Sequence, residues 1–176
     1  MESRKDPLYH WKNLLHPAFG LLASLLAAFV FALVIRLRYE GDTEWFFLYY
    51  HVPISIPFVG FLFDRARGYL QKMPGQLISV GLDTVIIALA LTRSVYPVPY
   101  ISGHALFLSY ALVTARTWWV RIPVLAVLLE VIYLKVFCWH DPTLFGGCAL
   151  GCAAGFLWIF LWRKLQRMVK IDQILE

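Results

Sequence analysis

The run PAFGLLASLLAAFVFALVI, Pro17 to Ile35, decides the fold class. It carries no charge and has the length that a helix needs to cross a hydrocarbon core, about 20 mostly apolar residues. Five further candidate spans lie downstream: Trp45–Phe63 (WFFLYYHVPISIPFVGFLF), Gln76–Thr92 with Asp83 inside it, Ser102–Val113, Ile122–Trp139 and Thr143–Trp162. Composition agrees. Of 176 residues 60% are hydrophobic, mean hydropathy is +0.66, and soluble domains hold roughly 45–50% apolar residues. These values exclude a disordered chain, a disulfide scaffold and an ordinary soluble domain. The net charge of +5 does not indicate nucleic acid, because so apolar a chain keeps no water-facing side. No linker, repeat or low-complexity run divides the sequence. The first apolar run is too long for a secretory signal, and no small-residue cleavage site follows it. The expectation is one all-α domain over residues 1–176, a polytopic bundle of six transmembrane helices.

Loop charges orient such a bundle. With the N-terminus cytosolic, Arg4, Lys5, Lys12, Arg65, Arg67, Lys72, Arg116, Arg121, Arg163, Lys164, Arg167 and Lys170 lie inside, and only Arg36, Arg38, Arg93 and Lys135 lie outside. Both termini are then cytoplasmic. Trp11, Trp118, Trp119 and Trp162 form an inner aromatic belt, and Trp45, Tyr96, Tyr100 and Trp139 an outer one.

This orientation sends several polar groups to one face. Arg93 ends the third span at its outer end. Ser102, Gly103 and His104 begin the fourth, Lys135, His140 and Asp141 lie at the outer end of the fifth, and His51 sits about two turns into the second. Polar groups near membrane depth are costly and mark function by default. Two imidazoles from different helices suit nucleophile and general acid. Arg and Lys suit the non-reacting oxygens of a phosphate. A helix start at Ser102 offers backbone N–H groups and a positive dipole end to an anion.

The run I-S-G-H-A, Ile101 to Ala105, with Arg93 nine residues before Ser102 and His140 between the last two spans, resembles the type 2 phosphatidic acid phosphatase family, related in fold to vanadium haloperoxidases. The stretch H-D-P-T-L-F-G-G from His140 resembles that family's His-x-Pro-Ser/Thr-Asp segment with trailing glycines. The resemblance implies six membrane helices and a metal-free, cofactor-free hydrolysis of a lipid phosphate or diphosphate. His140 would be the nucleophile and His104 the acid. Arg93, Ser102, Gly103 and Lys135 would bind phosphate, and Asp141 would orient His140. The chain departs from the family at Ile86 in place of lysine, Ser94 in place of proline, Leu134 in place of arginine and Leu144 in place of aspartate. Substrate and membrane lipids are the expected partners, and a cell membrane the expected location, with the site extracytoplasmic. The alternatives are a non-catalytic lipid-phosphate binder or transporter, and a metal-dependent membrane enzyme using His51, His104, His140 and Asp141.

Other residues have structural readings beside functional ones. Asp141, before Pro142, can cap the sixth helix. Lys135 can snorkel. Asp83 and Glu130 lie at similar depths and could form a relay or separate structural hydrogen bonds. His51, with Pro53 and Pro57 in the same helix, can line a substrate cleft, join a metal site or hydrogen-bond across helices at a proline-bent segment. Asp64, Arg65 and Arg67 read as a charged turn. Gly147, Gly151 and Gly155 share one face, which suits close packing within the chain or against a second copy. Cys138, Cys148 and Cys152 read as buried thiols, and RKLQRMVK as a basic extension suited to anionic headgroups.

Overall fold

The structure is a computed structural model. It describes the backbone of residues 16–39, 41–70, 76–95 and 101–175, and their side chains except at 43, 76–79, 93–95, 165, 166 and 168–175. Among these residues there is no strand. The elements are α1 (Pro17–Arg38), α2 (Asp42–Leu70), α3 (Gln76–Val95), α4 (Gly103–Thr114), α5 (Trp118–Tyr133, continued by a π-helical turn Leu134–Cys138) and α6 (Thr143–Leu175). Three of the helices are long and apolar enough to cross a membrane, over Pro17–Arg38, Glu44–Leu70 and Thr143–Lys164. Most of their surface is apolar and uncovered: Leu22, Leu26, Phe29, Phe145, Phe156 and Phe160 are all exposed. Such a surface belongs against lipid rather than water.

The chain divides into two compact units, Met1–Arg67 and Gly68–Glu176. In the first, α1 starts with Pro17 at its first position, and the His16 ring accepts the Ala18 N–H at 3.3 Å. Gly41, at φ 68°, lies in the link to α2, and Arg36 reaches Glu44 across it at 3.7 Å. Helix α2 continues through Pro53 and Pro57. Its buried positions Pro57, Gly60, Phe61, Asp64 and Arg65 recur at helical spacing and form one face. The expectation of a charged turn at Asp64–Arg67 therefore fails. Asp64 and Arg65 are helical and only 2% and 6% exposed, and the Arg65 guanidinium lies 4.5 Å from the centre of the Phe61 ring.

In the second unit α4 is the axis. Its twelve residues rise only about 18 Å, short of a bilayer core, so the fourth span expected from sequence is too short to cross alone. Residues Ala105 to Ala111 are buried on every side of the helix, packed by α3, α5 and above all α6. An apolar helix of this length reads better as a core element than as a span. Its fit against α6 depends on three glycines. A Cβ on Gly147 would lie 2.5 Å from the Ser102 carbonyl, one on Gly151 2.4 Å from the Leu106 carbonyl, and one on Gly155 2.7 Å from the Val113 Cβ. The glycine face is thus consumed inside the chain. Between α3 and α4, the fully buried Tyr110 hydroxyl donates to Asp83 Oδ1 at 2.6 Å. Asp83 accordingly pairs with Tyr110, and the depth match with Glu130 reflects no shared bond between the two acids.

Candidate functional site at the α4–α6 corner

The sequence-predicted residues of the second unit gather where α5 ends and α4 and α6 begin. Ser102 caps α4, its hydroxyl accepting the Ala105 N–H at 3.4 Å. The Ser102 N–H in turn donates to the Thr143 carbonyl at 2.9 Å. That bond ties the S-G-H segment to the start of α6. The close approach at Gly147 holds the same two helix starts together from the side.

Helix α5 closes in an unusual way. Its last turn widens, so the Trp139 N–H reaches Leu134 O and the Asp141 N–H reaches Lys135 O, five and six residues back. Single π turns of this kind recur at functional sites. The chain then turns through His140 at φ 51°, the one non-glycine residue with positive φ among those described. Helix ends favour glycine in this conformation, and a side chain there costs on the order of 1 kcal/mol. His140 is exposed. His104 is half-buried in the first turn of α4 and has contacts of its own.

The same turn holds an ion pair. The Lys135 ammonium, with its side chain 8% exposed, binds Asp141 Oδ2 and approaches the Thr143 hydroxyl at 3.4 Å. Asp141 Oδ1 accepts the Thr143 N–H at 2.9 Å. Asp141 therefore caps α6, and each of its oxygens has a donor other than the His140 ring. Burial alone would raise its carboxyl. The Lys135 and Thr143 hydrogen bonds and the Lys135 charge together outweigh burial and hold it down at about 2, below the usual 3.8. Lys135 is consequently not a free phosphate clamp, since its charge is matched within the corner. Sequence reasoning did not single out Thr143. The signal was present: in D-P-T, an N-cap aspartate followed by proline at the first position puts the next N–H in range of the carboxylate.

Arg93 lies on the last turn of α3, and its side chain is outside the described residues. Its backbone level can still be placed. Asp83 meets Tyr110, and the short connection makes α3 and α4 antiparallel. Ten residues up α3 and eight back along α4 are rises of about 15 and 12 Å, so Arg93 and Ser102 sit at the same end. Tyr96 and Tyr100 lie outside the described residues. His51 belongs to the other unit. It is half-buried and stacked on Phe47 at 5.0 Å, with Tyr50 edge-on at 4.9 Å. Among the described residues no three His, Cys, Asp or Glu side chains gather to hold a metal ion. The alternative built on His51, His104, His140 and Asp141 thus finds no cluster.

No protein-family model, no curated protein and no solved structure matches the chain.

Proposed function

We propose that the protein is a multi-pass membrane protein, and that the α4–α6 corner binds and hydrolyses the phosphate or diphosphate of a lipid at the extracytoplasmic boundary. The observation that carries this reading is the Ser102 N–H bond to the Thr143 carbonyl. It joins the segment bearing His104 to the segment bearing His140 at one end of one unit. The left-handed backbone at His140 supports it, because strain held at an exposed histidine is characteristic of functional positions. In this scheme a His140 ring nitrogen attacks phosphorus. The bond to the lipid oxygen breaks, and protonated His104 gives its proton to that oxygen. Neutral His104 then takes a proton from water, which attacks the phosphohistidine and releases phosphate. Arg93, Ser102 and the backbone of Gly103 at the α4 start stabilise the non-bridging oxygens.

A second reading is favoured by a specific feature. Lys135 is neutralised by Asp141, and Asp141 is committed to Lys135 and Thr143. A corner so arranged can hold a phosphate without an oriented nucleophile, as a non-catalytic lipid-phosphate binder would. Phosphate release from a panel of lipid phosphates, measured in EDTA with the full chain in micelles, separates the two. The hydrolase reading expects release that resists chelator and falls at least a hundredfold in His140→Ala, the scale of nucleophile loss. Binding of the same lipids with no release by the unmutated chain would leave the binder.

A further inference from the structure

The turn that carries His140 is closed twice. Along the backbone, the Asp141 N–H reaches back to the Lys135 carbonyl, and the Trp139 N–H to that of Leu134. Through the side chains, the Lys135 ammonium binds Asp141 Oδ2. Both closures join the same two residues, so the segment Val136 to His140 must fit a fixed span. Trp139 stays near helical backbone, at φ −110° and ψ −11°. The reversal of chain direction therefore falls on His140, at φ 51°. The arrangement is a helix closure one residue wider than the Schellman form, and the π turn supplies the extra residue. The position that reverses in such a closure is ordinarily glycine.

Thr143 extends the closure to α4. Its N–H donates to Asp141 Oδ1 at 2.9 Å, and its hydroxyl lies 3.4 Å from the Lys135 ammonium. Its carbonyl accepts the Ser102 N–H at 2.9 Å. One residue thus joins the ion pair, the α6 cap and the S-G-H segment. The Lys135 side chain is 8% exposed, so parting the pair strands its ammonium away from water.

We infer that Lys135, Asp141 and Thr143 form a positioning latch that holds His140 in its left-handed conformation and fixes its backbone relative to the start of α4. The ion pair and its hydrogen bonds offset the unfavourable backbone, and a histidine stands where glycine would be more stable. Lys135 then acts on the corner through the backbone rather than by touching a bound phosphate. The latch itself stands independently of the hydrolase reading; its consequence for turnover rests on that reading.

The test is a thermodynamic cycle on the full chain in micelles, read as the folding equilibrium during titration with sodium dodecyl sulfate. His140→Gly removes the left-handed penalty, which exceeds glycine's greater chain entropy, and should raise the folding constant about threefold. His140→Ala keeps a Cβ and should give no such gain. In a Lys135→Met background the turn relaxes, only the entropy of glycine remains, and the gain from His140→Gly should vanish or reverse. Asp141→Asn, which keeps the α6 cap, gives the same reading should Lys135→Met fail to fold. An equal gain with and without the pair, or no gain in the unmutated background, would overturn the latch. Phosphate release adds a readout that stability does not move. Lys135→Met should lower kcat about tenfold with KM little changed, and Lys135→Arg should restore part of it. A raised KM with kcat unchanged would make Lys135 a phosphate contact and overturn its positioning role. The expected cycle in a chain that releases no phosphate would uphold the latch and remove the hydrolase reading.

Discussion

The two ends of the α4–α6 pair meet water in opposite ways. At the start of α6 Lys135 is folded inward, and its charge is matched by Asp141 with the Thr143 hydroxyl nearby. At the other end the Arg116 guanidinium lies on two indoles, and Arg121 donates to the Ala115 carbonyl at the start of α5. The first corner uses its charges to shape the backbone, leaving His140 exposed on a strained turn. The second uses aromatic stacking to hold a guanidinium against α6. Charge count alone does not distinguish the two; the identity of the partner does.

The largest expected effect tests the packing on which both ends depend. Gly147→Ala puts a methyl 2.5 Å from the backbone carbonyl of Ser102, where neither helix has a flexible group to yield. Overpacking of this kind costs about 1–3 kcal/mol, and this site belongs at the top of that range. The variant should also weaken the Ser102–Thr143 bond and lower any activity of the corner. Gly155→Ala, near the opposite end, meets only the Val113 side chain. Its loss should be recovered by adding Val113→Ala, whereas no small substitution recovers Gly147→Ala. Thermal unfolding in micelles measures both, and equal, equally rescuable losses would remove the distinction.

The ion pair ranks next. Asp141→Asn keeps an α6 cap but strands the Lys135 ammonium, which is 8% exposed. Stranding a fully buried partner costs about 3–5 kcal/mol. Here the aqueous side of the pair reduces that to about 2 kcal/mol. Lys135→Met leaves Asp141, 30% exposed, to be solvated and still bonded to Thr143, and should cost about 1 kcal/mol or less. The asymmetry is the content of the prediction. A larger loss in Lys135→Met than in Asp141→Asn would mean that the carboxylate, rather than the ammonium, is the group depending on its partner.

How far the sequence made these features legible follows from which physical signals are local. Pro17–Ile35 and Thr143–Trp162 were readable as spanning segments because hydropathy is a property of one stretch. The structure extends both as continuous helices, Pro17–Arg38 and Thr143–Leu175. Ser102 as the start of a helix was readable because capping chemistry is local. The depth of Ser102–Val113 was not, since burial of α4 comes from three other helices. For the same reason sequence matches Asp83 with Glu130 by level along the bilayer, whereas its partner Tyr110 is set by which faces of α3 and α4 meet. The glycine spacing announced a close approach without naming the partner helix. Asp64 and Arg65 read as a turn because charge ordinarily signals solvent, and the helical burial stripe of α2 overrides it. The stacking of Arg116 on Trp158 and Trp162 joins residues more than forty positions apart, a pairing that periodicity within either helix cannot reveal.

Acid pH separates the ends as well. Asp141 titrates at about 2 when folded, against 3.8 ordinarily, so its carboxylate contributes stability that is fully present above about pH 4 and is lost as the pH falls toward 2. The full shift corresponds to about 2 kcal/mol, and partial exposure of the carboxylate reduces this to about 1–2 kcal/mol. Lys135→Met removes the strongest stabilising partner of the ionised form, so it should flatten the unfolding profile between pH 4 and 2. The guanidinium groups at the other corner stay charged throughout this window, so Arg121→Gln should shift the profile without changing its shape. A slope across that window identical in Lys135→Met and in the unmutated chain would place the acid sensitivity in other carboxylates. The Lys135–Asp141 pair would then be a geometric contact with little electrostatic weight.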